Sequence, residues 1–452
     1  MTRSGGRGTG SGWLAAALCL FAGLSAAAMA QDGGRYTGVA SCAGSTCHGR
    51  AEGNGEVVRQ DEIATWQDPS SSTGAHSRAL AVLDSLRGRQ IGATLGMANP
   101  SKEPACLGCH ATYVAEAERG LPGEPYDGVG CESCHGPAGG WIATHYTTLG
   151  THPANVAAGL TPLENPQVRA GVCLDCHYGS AGGNRFVTHR MMAAGHPRIV
   201  FELDLFSALQ QHHDEDADYR QRKGGTNSVQ LWAVGQAEAV RRSADLFARP
   251  GFGTEGIFPE FYFYDCHSCH RQIADGPQRR LTFESNPGRA IAFGQPPFND
   301  ENAIMLSAVA RVLAPGQAAA FESASEGFHR AMGEDRAAAA RAALRLRDAA
   351  AALSDALAAG GGGDAFAVIA AIADRTTSPR FTDYAGSAQA VMAVDTLLNA
   401  LVREGRITVG AAAGLRADIN RAYEAVRSPE GYNPVRFRAA LGQAAGAIGT
   451  LR

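Results

Sequence analysis

Outside its first thirty residues this 452-residue sequence has no cysteine to spare for a disulfide, because ten of its eleven cysteines fall inside five short motifs. It also lacks an excess of positive charge, with 40 lysines and arginines against 44 aspartates and glutamates. Holding a phosphate backbone takes a basic surface, so no nucleic-acid partner is expected. No stretch beyond the first thirty residues reads as the run of ~20 apolar residues that a bilayer span needs, and no transmembrane segment is expected in the mature chain. Past about Phe298 there is no cysteine and a single histidine, His329, which reads as a surface or packing residue.

What the chain does have is five sequences of two cysteines followed by histidine. They are Cys42 and Cys47 with His48, Cys106 and Cys109 with His110, Cys131 and Cys134 with His135, Cys173 and Cys176 with His177, and Cys266 and Cys269 with His270. In a C-x-x-C-H run the two thiols bond to the vinyl groups of a haem and the histidine reaches the iron as proximal ligand. The expected cofactors are therefore five covalent haems c with their iron. The first motif has four residues between its cysteines, so its loop must bulge for both sulfurs to reach the vinyl carbons. A local disulfide between Cys42 and Cys47 is the competing reading there. Cys106, Cys109, Cys131 and Cys134 could also be read as a zinc ribbon. A ribbon has no use for a histidine directly after each pair, nor for three further copies.

Residues 1–30 look like a cleaved leader: Arg3 and Arg7, an apolar stretch from about Trp13 to Ala27, then Ala28-Met29-Ala30. Cys19 lies inside and leaves with it. A periplasmic or extracellular, soluble mature protein is expected. Its formal charge moves from −4 to −6, since the leader takes two arginines and no acid.

Three segments follow from the motif positions: the leader 1–30, a haem-bearing domain 31–297 and an alanine-rich helical domain 298–452. The middle segment has only about fifty residues per motif, so the macrocycles must supply much of its apolar core. The expected fold class is mainly α: a loop-rich multihaem domain with short helices, especially just after the motifs, then a bundle-like helical domain. In that last part, apolar positions recur at helical spacing over about 302–314, 316–331, 334–359, 364–375, 384–404, 410–427 and 433–449. Breaks fall at Pro315, Gly360 to Gly363, Pro379 and Ser428-Pro429. The tail is expected to be separable, because the last motif histidine is His270.

Each iron has a second axial position. Beyond the motif histidines, and setting aside His267 within a motif and His329 in the tail, the candidates are His76, His145, His152, His189, His196, His212 and His213. Met97, Met191 and Met192 could ligate in principle, although methionine in an apolar pocket is more often packing. With imidazole plentiful, bis-histidine ligation is expected, and it gives lower potentials than methionine ligation. Arg78, Arg190 and Arg198 lie close to candidates and could pair with propionates.

Trp66 through His76, Gly130 through Pro137, Trp141 with His145, Ala193 through Arg198, Phe201-Glu202-Leu203, Leu231 through Gln236 and Tyr264-Asp265 carry a resemblance. Over about residues 36–275 the chain resembles the exported multihaem cytochromes related to the tetrahaem cytochrome c-554 of nitrification. The resemblance implies haems packed in contact as stacked and perpendicular pairs, passing single electrons. It implies distal ligands His76, His145, His189 and His196, with His212 or His213 as the fifth. The expected function is electron transfer between other redox proteins, donor and acceptor. The alternative is an oxidoreductase acting on nitrite, nitric oxide or hydroxylamine at one open haem. No motif has lysine in place of its histidine, and there are enough histidines to close all five sites.

Overall fold

A computed structural model describes residues 34–452, apart from 54–58, 121–125, 149, 183, 184, 199, 214, 216, 251, 253–259, 271–288, 290 and 292–294. The leader and Cys19 lie outside the described residues. The protein is mainly α-helical, as expected, with isolated bridges from Tyr36 to Arg119 and Tyr264 to Phe298 and no strand among the described residues.

The first part carries α1 Glu62–Gln67, α2 Leu86–Leu95, α3 Pro104–His110, α4 Glu132–His135, α5 His152–Ala157, α6 Pro166–His177, α7 His189–Ala193, α8 Leu203–Leu209 and α9 Ala217–Lys223. Side chains close several helix starts: Asn165 accepts from the Gln167 and Val168 N–H groups ahead of Pro166, and Ser85 accepts from Gly88. Helices expected just after the motifs instead run into them at three sites, where α3, α4 and α6 end on His110, His135 and His177. The reason is helical periodicity. Cysteines three residues apart, and a histidine four after the first, share one face of a final turn. Gly136 then breaks α4 with φ +79°, and a Cβ there would meet the Gly159 carbonyl oxygen at 2.6 Å, so only glycine fits.

Apolar packing in this part is sparse. Leu83, Leu107 and Ala111 form one small cluster, and Ala170, Leu174, Tyr178, Phe201, Leu203, Leu231 and Ala239 another.

The long helix α10, Ser228–Ala248, joins the two regions. From Ser228 to Val240 every residue but Gln230 is buried, and Val229, Trp232, Ala233, Val234 and Ala237 are fully buried. It contacts α6 and α8 as well as the helices that follow. Those are α11 Glu301–Leu313, α12 Pro315–Met332, α13 Arg336–Ala359, α14 Ala365–Thr376, α15 Tyr384–Arg403, α16 Val409–Gly414, α17 Arg416–Ala425 and α18 Pro434–Gly449. Most match the periodic segments read from the sequence. The expected helix 410–427 is instead two, parted at Leu415, where Gly410 and Gly414 weaken helical continuity.

One hydrophobic cluster runs from Val229 to Ile448 through Met305, Phe321, Phe328, Leu353, Ile372, Leu397 and Phe437. Packing thus crosses residue 298. Removing the tail would strip one face of α10, which argues against the expected separability. Helix α15 is long and apolar enough to cross a membrane, contrary to the sequence reading, but 78% of its most apolar window is buried. It serves here as a core helix.

Candidate functional site

Each motif histidine faces one histidine from a distant segment. The ring centres are 6.4 Å apart for His48 and His145, 6.3 Å for His76 and His177, 6.3 Å for His110 and His196, 6.2 Å for His135 and His212, and 6.3 Å for His189 and His270. Two metal–imidazole bonds of about 2 Å each, plus roughly 1 Å from each ligating nitrogen to its ring centre, add to about 6 Å. The five spacings therefore fit an iron between each pair of rings. Haem iron takes its remaining nitrogens from the porphyrin, so two side chains suffice. No group of three or more His, Cys, Asp or Glu is arranged to hold a metal among the described residues.

Local structure aims these rings. His76 follows the 3-10 turn Thr73–Ala75, and His145 lies in the turn after Trp141, whose indole packs edge-on to it at 5.5 Å. His189 opens α7, and its backbone N–H donates to Glu260 Oε1 at 2.6 Å, which ties it to the segment entering the last motif. His212 follows α8, whose start is closed by Glu202 accepting from Asp204 and Leu205.

An imidazole that gives its Nδ1 proton to an acceptor keeps Nε2 free as a ligand. His110 Nδ1 meets the Ala79 carbonyl at 2.6 Å, His145 that of Ile142 at 2.7 Å, His196 that of Pro197 at 2.8 Å and His212 that of Gln210 at 2.8 Å. His48 Nδ1 meets the Glu62 carboxylate at 3.0 Å. His177 Nδ1 is buried with no partner. Burial pushes the pKa of His135 down to about 3 and that of His177 down to about 4, so both stay neutral and keep a lone pair.

The thiols converge too. The Cys42 thiol lies beside that of Cys131 and the Cys109 thiol beside that of Cys176, without a disulfide, bringing the first motif against the third and the second against the fourth. Cys134 is half-buried, its pKa pushed up to about 11 by desolvation and then by nearby Cys176. All ten described cysteines are unpaired, so Cys42 and Cys47 form no disulfide.

Other candidates lie elsewhere. His213 packs beside His212 and Tyr219 and faces no motif histidine, so of the two alternatives His212 is the one opposite His135. His152 uses Nε2 on Glu164 at 2.6 Å, and His329 is buried on Asp300 at 2.8 Å. Met97 Sδ accepts from the Cys106 thiol at 3.9 Å. Arg78 binds the Asp68 and Ser71 carbonyls, and Arg198 pairs with buried Glu301 at 3.1 Å while reaching Cys266 Sγ at 3.4 Å.

Two acids escaped the sequence reading. Besides Glu62, Glu132 is buried inside the third motif and accepts from the Thr37, Gly38 and Ala138 N–H groups at 2.7–3.0 Å. It clamps the strand of chain entering the first motif onto the third. Only its place between two cysteines could have drawn attention to it.

Neither a curated protein nor a solved structure matches the chain. The sequence model of the family cytochrome c554 and c-prime matches residues 41–136, a segment holding the first three motifs and His76. Over that segment the chain is similar to the cytochrome c family, which supports an electron-transfer haem protein.

Proposed function

We propose that this is a five-haem electron carrier of the periplasm or cell exterior, exchanging electrons with other redox proteins. One observation carries the reading: five motif histidines each face a second imidazole at a spacing of 6.2–6.4 Å. The assigned pairs are His48 with His145, His110 with His196, His135 with His212, His177 with His76 and His270 with His189. Bound there, haem iron supplies one-electron exchange between its ferric and ferrous states.

The chain's own residues supply the rest. Cysteine pairs 42 and 47, 106 and 109, 131 and 134, 173 and 176, and 266 and 269 tether the cofactors covalently. The paired imidazoles would hold each iron from both sides and leave no place for a substrate, which favours a carrier over an enzyme with one open haem. Desolvation at His135 and His177 keeps both imidazoles neutral. Glu132 and the contacts of Cys42 with Cys131 and Cys109 with Cys176 keep neighbouring motifs close. In this reading residues 1–30 are the export leader, 31–297 bear the haems, and 298–452 form the helical body that shares its core with α10.

The test is stoichiometry. Haem absorbance per protein, with intact mass, is expected to give five covalent haems, and the double variant Cys42→Ala, Cys47→Ala to give four. Full haem content in that variant contradicts the assignment of the first motif.

A further inference from the structure

We propose, resting on that reading, that Glu62 is a potential-setting residue: it holds the haem at the first motif in its ferric state more strongly than a neutral partner would. Among the ten paired imidazoles, His48 alone gives its Nδ1 to a carboxylate among the described residues, at 3.0 Å from Glu62 Oε2. Four of the others give theirs to backbone carbonyls.

The contact is built rather than incidental. Glu62 has 12% of its side chain exposed against 37% for His48, so the acid is the more enclosed partner. Its other oxygen accepts from the Gln60 N–H at 3.2 Å. The Ile63 N–H donates to the His48 carbonyl at 3.1 Å, and the Arg50 N–H to that of Gln60 at 2.8 Å, lashing the start of α1 to the first motif. Gln60 takes φ +63°, the one left-handed non-glycine residue among those described. A side chain held in that region costs energy, and such strain collects where function fixes the geometry.

A carboxylate sharing the Nδ1 proton gives the imidazole anionic character and makes it a stronger donor to iron. Extra negative charge favours the more positive ferric state, which lowers the midpoint potential. The first site therefore gives up its electron more readily than it would with a neutral partner.

The experiment is an equilibrium redox titration of the full-length holoprotein, followed by haem absorbance, on wild type, Glu62→Gln, Glu62→Asp and the Cys42→Ala, Cys47→Ala variant. Glu62→Gln is expected to raise one of five potential components and leave four in place. Glu62→Asp should fall between it and wild type. The component that moves must be the one missing from the double-cysteine variant, and one low-spin electron-paramagnetic-resonance signal should change with it. Five unmoved components in Glu62→Gln, or a moved component still present in the double-cysteine variant, overturn the inference. If the double-cysteine variant keeps all five haems, the first-motif assignment itself fails and this inference falls with it. Loss of one haem with unmoved potentials sinks this inference alone.

Discussion

The two regions of this molecule solve the problem of a stable interior differently. Residues 295–452 with α10 bury a continuous set of side chains from Val229 to Ile448, whereas the motif-bearing stretch before α10 has one small cluster of its own and a second completed by Leu231 and Ala239 of α10. Side chains alone can stabilise the first arrangement. The second lacks enough apolar area of its own to offset the entropy of ordering the chain, so its interior must come from what the cysteines tether. Helix α10 sits between them, one face on α6 and α8 and the others on α11, α13 and α15.

If the comparison holds, protein made without haem attachment should show the largest effect. Its segment 34–227 is expected to be cut rapidly in limited proteolysis, while a fragment spanning α10 to α18 resists and stays helical by circular dichroism. Equal resistance of both parts breaks the comparison. Next in size is Trp232→Ala, which empties a fully buried site on α10 and should cost about 3–5 kcal/mol in denaturant unfolding. Truncation at Asn299 exposes the same face and should yield insoluble protein.

A smaller effect, confined to the first region, is expected of Glu132→Ala. It leaves the Thr37, Gly38 and Ala138 N–H groups without their acceptor, at about 2–3 kcal/mol. Faster hydrogen exchange at those amides, with the tail unchanged, would localise it. Of comparable size, but seen only as a pH dependence, is the effect of Glu202, where burial and then neighbouring Asp204 push the carboxyl pKa up to about 7. Between about pH 4.5 and 7 the folded chain holds a proton that the unfolded chain has lost, so stability falls as pH rises through that window. The change should be about 3 kcal/mol across that window, and Glu202→Gln should flatten it.

The sequence was most readable where local chemistry decides. Cys-x-x-Cys-His is a covalent instruction, and the tail helices announce themselves by periodicity and by stops such as Pro315 and Gly360 to Gly363. Pairing was less readable. His48 and His145 meet through a fold that joins distant segments, and adjacent His212 and His213 can be told apart only once α8 fixes which ring turns toward His135. Glu62 carries no signature in the sequence, since its role depends on a left-handed Gln60. Helix α10 was not readable from the sequence: Gln230, Gln236, Glu238, Arg241, Arg242 and Asp245 interrupt its apolar positions, and its burial depends on packing from both regions.

The most direct test of the central claim is the spin state of the oxidised wild-type protein, taken with its haem count and its response to carbon monoxide after reduction. Five haems, all low-spin and inert to rapid carbon monoxide binding, are expected from five closed imidazole pairs. A high-spin haem that binds carbon monoxide, or fewer than five haems per chain, contradicts the account.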